Sequence, residues 1–181
     1  SGQSCTRVGD IKNTYGTGCS MLMYAGACND TQPPRSDNGL LTTVACDANG
    51  QPAYALEGSV FVAGSLVQWL RDSLGLLGTA AETETLARSI EDSGGVVIVP
   101  GMSGLGAPHW QPEARGVIAG LSFATGRAQI ARAALEAMAH QTYDLAEAFA
   151  ADGAKWTSLK IDGGMSANDW MAQDISNLLD L

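Results

Sequence analysis

The chain contains 181 residues, of which 45% are hydrophobic and 16% are charged, and its formal net charge at pH 7 is −9. These values are typical of one globular domain with a sizeable core. An acidic chain with only three lysines argues against nucleic acid as a partner, because nonspecific binding needs clustered Lys and Arg. The apolar runs are too short to cross a bilayer, which argues against a membrane as a partner.

The four cysteines have neither a C-x-x-C spacing nor a neighbouring histidine, so their pattern is unlike a zinc site. Four cysteines are also too few to form a disulfide scaffold in a chain of this length. We therefore expect a cytoplasmic location for the protein. The residues expected to be reduced thiols are Cys5, Cys19, Cys28 and Cys46. The first residues have no pattern typical of a secretory leader.

Turn-forming residues divide the first third of the chain into predicted strands. Asn38-Gly39 and Asn49-Gly50 are strong hairpin signals, since Asn-Gly favours the turns that join antiparallel strands. The polar segment 27–35, which contains two consecutive prolines, is predicted to be an exposed loop. We predict strands at 15–24, 40–46 and 52–56.

Helical spacing then replaces the strand pattern. Val60, Ala63, Val67, Leu70 and Leu74 recur at intervals of three or four residues and predict a helix. Two further helices begin with capping-box patterns. We predict helices at 58–74, at 79–90 (opened by Thr79 with Glu82), at 127–151, and at 166–178 (opened by Ser166 with Asp169). We predict strands at 96–99, 116–121 and 159–161, the first of them fully buried.

Strands that alternate with helices predict an α/β fold, in which a mixed sheet carries helices on its faces. Ligands of such sheets lie beyond the carboxyl ends of the strands, where two glycine turns are candidates: Gly16-Thr17-Gly18 and Asp162-Gly163-Gly164. Glycines permit tight bends that point backbone amides at an anion, and Thr17 adds a hydroxyl. Taken alone, these residues leave phosphate binding and ordinary chain reversal both open.

Gly64 and Gln68 lie one helical turn apart on the same face of a predicted helix. Glycine inside a helix costs about 1 kcal/mol relative to alanine, so the position needs a reason. Close helix packing is one reason, and it is the one that the residue types favour. The other is a flat ligand on the bare backbone, with Gln68 at its edge. Asn168, in the first turn of the last helix, could similarly bond to an adenine or ribose edge.

Three further residues are weaker candidates for chemistry. His109 and His140 are single histidines, which more often pack or hydrogen-bond than catalyse. Asp162 could ligate magnesium, but an aspartate before Gly-Gly is also a common turn former. Neither G-x-x-x-x-G-K-[ST] nor G-x-G-x-x-G occurs, which excludes a P-loop and counts against a dinucleotide site.

Seven segments together resemble the carboxyl-terminal half of the FGGY carbohydrate kinases, and within that family the members that phosphorylate glycerol. Residues 116–136 also resemble the second signature of the family, an apolar strand followed by a helix. The resemblance covers nearly the whole chain. The seven segments are 12–19, 38–43, 54–58, 68–72, 104–110, 114–116 and 162–168.

This resemblance implies a ribonuclease-H-like domain of the actin-like ATPase superfamily, with residues 1–181 forming an incomplete C-terminal, nucleotide-binding domain. It also implies a cleft for ATP, magnesium and a polyol, and phosphorylation of glycerol to glycerol 3-phosphate by the full-length protein. By resemblance, Thr17 contacts the nucleotide phosphates. Gly64 and Gln68 then line one side of the nucleotide pocket, and Gly164 and Asn168 line the other.

Two departures from the family pattern qualify the expected activity. The family's catalytic base is an aspartate in a Gly-Asp-Gln run that does not occur here, and Gly9-Asp10-Ile11 lies in a different context. The chain therefore resembles a fragment that lacks the N-terminal domain, the catalytic aspartate and the closing helices. We expect no kinase activity from it alone.

The second departure is Ser20, which stands where the glycerol-phosphorylating members carry an aromatic residue against glycerol. Kinases for another polyol or a pentulose are the nearest alternative. An actin-like or chaperone-like ATPase module is the alternative from another class, and a non-catalytic scaffold with incidental glycine turns is a third. A homo-oligomer is also left open.

Overall fold

A computed structural model describes residues 3–28 and 32–181. Among these residues, the strands are β1 (Ile11–Tyr15), β2 (Cys19–Ala27), β3 (Leu41–Cys46), β4 (Pro52–Val60), β5 (Val97–Val99), β6 (Val117–Ala119) and β7 (Lys160–Asp162). The helices are α1 (Gly64–Asp72), α2 (Glu82–Arg88), α3 (Arg127–Ala151) and α4 (Asp169–Leu179), and a 3-10 helix at Gly164–Ala167 leads into α4.

Five strands form one mixed sheet in the order β3-β4-β2-β1-β7. Antiparallel pairing joins β1 to β2, β2 to β4 and β3 to β4, whereas β7 runs parallel to β1 with Thr14 opposite Asp162. Because β1 and β7 are parallel, their carboxyl ends meet at the same edge. The two glycine turns therefore leave the sheet side by side, as the predicted α/β architecture requires.

The core lies between one face of this sheet and helix α3. Ile11 and Tyr15 alternate toward that face, with Met21 beside them, and all three are almost fully buried. The hydroxyl of Thr142 in α3 donates to the Met138 carbonyl oxygen over 2.8 Å, so the Tyr15 hydroxyl donates to Thr142 over 2.6 Å. This contact fixes the end of β1 against α3.

The long helix predicted at 127–151 is confirmed. Its helical pattern of apolar residues is unbroken, so no strand or turn is favoured within it. The backbone N–H of its N-cap residue, Gly126, donates to Gln129 Oε1 over 2.9 Å. Among the residues described, no helix is both long and apolar enough for a membrane span.

Two predicted boundaries in the first third were wrong. The strand predicted at 15–24 is divided by the turn 16–18, which separates β1 from β2. The helix predicted from residue 58 begins only at Gly64, because Gly58 and its neighbours extend β4 and pair with β2, Gly58 standing opposite Met21. An apolar residue at every third or fourth position fits the end of this strand and the start of the helix equally well.

The strand predicted as fully buried is half exposed. Val97 and Val99 are 56% and 40% exposed, while Ile98 between them is buried. β5 pairs only with β6, so the two form a separate antiparallel ribbon rather than interior strands of the main sheet. Only one face of that ribbon packs on the core.

Neither predicted capping box forms in full. Glu82 Oε1 accepts from the Thr79 backbone N–H over 3.1 Å, but the N-cap residue of α2 is Ala81. The N-cap of α4 is Asn168 rather than Ser166, whose hydroxyl donates to the Gly163 carbonyl oxygen. Asn168 takes the position because the 3-10 helix occupies the residues immediately before it.

Candidate functional site

An open groove of about 320 Å³ lies at the edge where β1 and β7 end. Thr17, Gly64, Gln68 and Gly164 all line it, so four of the five candidate residues meet in one place. The complete lining is Tyr15, Gly16, Thr17, Gly64, Val67, Gln68, Arg71, Ala80, Gly164 and Met165.

The turn between β1 and β2 forms one wall by closing over the start of α1. The Gly16 carbonyl oxygen accepts from the Gly64 N–H over 2.9 Å. The Thr17 carbonyl oxygen accepts from the N–H groups of Ala63 and Ser65 over 2.8 and 3.0 Å, and from the Ser65 hydroxyl over 2.9 Å. These carbonyls replace a side-chain cap, which α1 lacks, so the turn and the helix are held together.

Gly64 is a glycine because this turn approaches so closely. A Cβ atom there would lie 2.5 Å from the Gly16 carbonyl oxygen and 3.3 Å from Met165 Cγ. The packing explanation therefore accounts for the residue type. The same contact also makes Gly64 part of the groove wall, so the two explanations offered by the sequence are compatible.

The turn after β7 forms the opposite wall and has two different glycines. Gly163 has φ +93°, and a Cβ atom there would lie 2.3 Å from the Tyr15 carbonyl oxygen. This position accepts only glycine without rearrangement. A Cβ atom at Gly164 would meet nothing within 4 Å, so this residue borders open space.

The polar side chains of the groove are available for a ligand. Thr17 and Gln68 are exposed, and neither side chain hydrogen-bonds to another described residue. Arg71 is held by Asp72 through two hydrogen bonds, Nε to Oδ1 over 2.6 Å and Nη2 to Oδ2 over 2.8 Å. Val67 and Met165 supply apolar surface. The groove thus offers a hydroxyl, an amide and an oriented guanidinium beside apolar walls.

Asn168, the fifth candidate, lies behind the groove rather than in its lining. It is buried, its Oδ1 accepts from the Met171 N–H over 2.9 Å, and its Nδ2 donates to Thr83 Oγ1 over 3.2 Å. The first bond caps α4 and the second ties α4 to α2. These two hydrogen bonds of Asn168 therefore hold in position the wall that carries Gly164.

Two ionisable groups beneath the turn are buried, which extends the pH range over which they are neutral. Burial raises the pKa of the Cys19 thiol to about 12, and it also raises the pKa of Tyr15 above its ordinary value. Both residues underlie the turn that carries Thr17. Both groups therefore stay protonated well above physiological pH.

The weaker candidates are not among the residues that line the groove. His109 pairs with Asp144 through Nε2 and Oδ2 at 2.9 Å, and both line a separate cavity of about 190 Å³ with His140. Asp162 Oδ1 is buried without a hydrogen-bond partner among the described residues. The adjacent Thr14 hydroxyl lowers the pKa of Asp162. In the part of the chain that the structure describes, no three metal-ligating side chains cluster.

Sequence reasoning missed Arg71 as a lining residue, although its spacing contained the signal. Gly64, Gln68 and Arg71 lie at intervals of four and three residues, which places them on one face of a helix. Met165 carried no comparable signal, because its position depends on the pairing of β7 with β1.

The fold is that of the actin-like ATPases, as solved structures of similar shape indicate. Plasmodium falciparum glycerol kinase with ADP superposes with a TM-score of 0.84 at 37% identity, over 97% of this chain and 34% of that one. Xylulose kinase from Rhodospirillum rubrum gives 0.78 at 22% identity over 96% of this chain and 34% of that one, a likeness of fold alone.

The sequence model for the FGGY family of carbohydrate kinases, C-terminal domain, matches residues 11–181, and the chain belongs to this family. The glycerol kinase of Rhodospirillum centenum is 54% identical over 99% of this chain and 35% of its own length. That of Gluconobacter oxydans is 52% identical over 98% of this chain and 34% of its own length. The chain thus spans about a third of the length of these relatives.

Proposed function

We propose that residues 1–181 form the nucleotide-binding part of a glycerol kinase, which transfers the γ-phosphoryl group of ATP to glycerol. The groove bordered by Thr17, Gly64, Gln68 and Gly164 is the observation that carries the proposal. It lies at the carboxyl ends of parallel strands, where ligands of such sheets bind. Similarity to glycerol kinases at 54% and 52% identity supports glycerol as the acceptor.

In this proposal each wall holds a different part of ATP or ADP. The Thr17 hydroxyl and the turn around it contact the phosphates, since exposed turn amides and hydroxyls suit an anion. Val67 and Met165 flank the base, while Gln68 reaches polar atoms at its edge. Gly164 leaves the space that the adenosine fills. Asn168 contributes indirectly, because it holds the start of α4 in place.

Phosphoryl transfer depends mainly on positioning and on charge stabilisation. Magnesium, when bound, would neutralise charge on the phosphates. Because the described residues contain no cluster of three ligating side chains, its ligands would be phosphate oxygens, waters and one or two carboxylates. Asp162 is the carboxylate here whose buried, unpartnered oxygen fits such a role. A carboxylate from outside this chain would accept the proton of the acceptor hydroxyl.

The direct test is product formation by the full-length protein. With ATP and magnesium we expect glycerol-dependent release of ADP and formation of glycerol 3-phosphate. Replacing Thr17 with valine, which keeps the shape and removes the hydroxyl, should weaken ATP binding several-fold. The 181-residue chain alone should form no product. ATP hydrolysis stimulated by a protein partner, without any phosphorylated small molecule, would overturn the proposal in favour of an ATPase module.

One contact favours a larger polyol or a pentulose as a second candidate acceptor. The hydroxyls of Ser20 and Ser59 both donate to Glu57 Oε1, over 2.9 and 2.8 Å. This polar cluster lies on the sheet face opposite α3, on the strands that adjoin the Thr17 turn. Hydroxyls and a carboxylate suit an acceptor with additional hydroxyl groups.

Kinetics on a panel of acceptors distinguishes the two candidates. For a glycerol kinase, kcat/KM for glycerol exceeds that for erythritol and for D-xylulose. Ser20→Ala serves as the probe of the polar cluster. If the cluster reads an additional hydroxyl, this change lowers kcat/KM for the larger acceptor and leaves the value for glycerol unchanged.

A further inference from the structure

A second polar pocket lies at the opposite end of the sheet from the groove. It encloses about 260 Å³ near the amino ends of β1 and β7. Ile11 at the start of β1 lines this pocket, whereas Tyr15 at its end lines the groove. Four residue steps of about 3.3 Å separate them, or roughly 13 Å. The side chains that matter here are Arg7, Asp10, Lys155, Thr157, Ser158 and Lys160.

The pocket concentrates positive charge in an acidic chain. Of the ten Lys and Arg residues, five arginines form ion pairs: Arg71, Arg88, Arg115, Arg127 and Arg132. Within the described ranges, Arg7, Lys155 and Lys160 form no ion pair, yet all three line this one pocket. Among the described residues, three of the five Lys and Arg side chains without an ion pair therefore line one small pocket, in a chain whose net charge is −9.

The carboxylate in the pocket, Asp10, is hydrogen-bonded to the backbone, and these bonds together with the nearby charges of Lys160 and Arg7 lower its pKa. Asp10 Oδ2 accepts from the N–H groups of Thr6 and Arg7, each over 2.9 Å. These bonds fix the turn that presents Arg7. With one carboxylate against three cations, the pocket keeps an excess of positive charge.

Other groups in the pocket are suited to an anion as well. Lys160 Nζ donates to the Gln3 carbonyl oxygen over 2.8 Å and to the Ser4 carbonyl oxygen over 3.5 Å, which holds the ammonium in place and leaves it one further donor. Thr157 and Ser158 are exposed, and their hydroxyls bond to no other described residue. Trp156 forms a wall, with its ring edge-on to Phe149 at 6.2 Å between centroids.

We propose that this pocket binds the phosphoryl group of a small phosphorylated metabolite, at a site separate from the groove. A guanidinium matches two phosphate oxygens at once, whereas the ammonium groups act as point charges. Arg7 supplies the fork, Lys155 and Lys160 the charges, and Ser158 a hydroxyl donor. The Trp156 wall suits the carbon skeleton of a sugar phosphate. This inference does not depend on the proposed function of the groove.

Calorimetric titration of the full-length protein tests the proposal, with pyrophosphate and glucose 6-phosphate as probes and glucose as the uncharged control. The titrations are run with and without saturating ADP, so that binding in the groove is measured separately. We expect saturable binding of both phosphate probes in the presence of ADP, and none of glucose. R7Q/K155Q should raise both dissociation constants at least tenfold and leave ADP affinity unchanged.

The matched control is R35Q/R115Q, which removes the same charge from exposed positions elsewhere. It should leave both dissociation constants within twofold of the wild type. Circular dichroism checks that all variants are folded. Equal weakening by both double variants would mean that the probes respond to overall charge only, and would overturn the proposal. Absence of saturable binding to the wild type with ADP present would overturn it as well.

Discussion

The two walls of the groove are built in opposite ways. At the Gly64 wall, three backbone N–H groups and a hydroxyl bond to the Gly16 and Thr17 carbonyls, and there is no room for a Cβ atom. At the Gly164 wall, a Cβ atom would enter open space. One glycine is therefore required by the fold itself. The other is required only if a ligand fills the space, and substitutions at the two positions should separate these roles.

The largest effect is expected at Gly64. Gly64→Ala would place Cβ 2.5 Å from the Gly16 carbonyl oxygen, a backbone atom that is itself hydrogen-bonded. Overpacking of this kind typically costs 1–3 kcal/mol, and we expect about 3 kcal/mol here because the turn and α1 must separate. Denaturant unfolding of the full-length protein measures the loss, and calorimetry should show that ADP binding is lost with it.

Ser65→Ala is the matched control at the same wall. It removes one of the three hydrogen bonds to the Thr17 carbonyl oxygen without adding volume, so we expect a loss of about 1 kcal/mol. Equal free energies of unfolding for wild type and Gly64→Ala would show that the turn does not contact α1 closely at Gly64.

Substitution of Asn168 should have the next largest effect. We expect it to lower the free energy of unfolding more than the affinity for ADP. Asn168→Ala removes the cap of α4 and leaves Thr83 without its donor, which should cost about 2 kcal/mol. Asn168→Asp keeps an acceptor for the Met171 N–H but loses the donor to Thr83, so about 1 kcal/mol should remain lost. If the aspartate variant were fully stable yet bound ADP ten times more weakly, Asn168 would be a ligand contact and not a positioning residue.

Gly164 should show the reverse behaviour. Gly164→Val projects into open space at an exposed position, so its free energy of unfolding should stay within about 0.5 kcal/mol of wild type. The new side chain occupies the groove, and we expect the dissociation constant for ADP to rise at least tenfold, or about 1.4 kcal/mol. Gly164→Ala should give a smaller increase. An unchanged affinity for the valine variant would place the nucleotide elsewhere.

The smallest effect concerns the buried thiol of Cys19 beneath the Thr17 turn. Burial raises the pKa of Cys19 to about 12 from 9.0, so between these values the unfolded chain loses a proton that the folded chain keeps. The contribution of the Cys19 thiol to the free energy of unfolding is therefore fully present below pH 9. It falls as pH rises further, by about 1.4 kcal/mol per pH unit at most.

Urea unfolding at pH 8, 9 and 10 measures this dependence. Cys19→Ser removes the thiol, so it should flatten the decrease between pH 9 and 10. Cys46→Ser, at an exposed position, is the control and should leave the decrease unchanged. A decrease of the same slope in both variants would mean that Cys19 titrates in the folded protein as it does in the unfolded chain.

Local patterns were enough to predict the elements whose structure is set locally. Helix α3 follows from 25 residues of uninterrupted helical pattern. Gly64 and Gln68 share a face by spacing alone. The start of α1 was misplaced because the apolar residues at the end of β4 also fit a helical period, and only the pairing of Gly58 with Met21 decides between them.

Features that depend on distant pairing were harder to predict from sequence. The two glycine turns meet only because β7 pairs in parallel with β1, across about 145 residues of chain. The predicted α/β fold made both turns candidates at the carboxyl ends of the strands, and the resemblance to FGGY kinases then predicted that they share one nucleotide site. Asn168 was predicted as a ligand residue, and its bond to Thr83 depends on how α4 packs on α2. Nothing in the adjacent sequence signals that contact.

The central claim is that segments far apart in the chain border one groove for ADP. Hydrogen–deuterium exchange of the full-length protein, with and without ADP, tests it most directly. ADP should slow exchange together in the segments 16–18, 64–68 and 163–165, and leave the pocket around Arg7 and Lys155 unchanged. Protection confined to one of these segments, or found only elsewhere in the chain, would contradict the account.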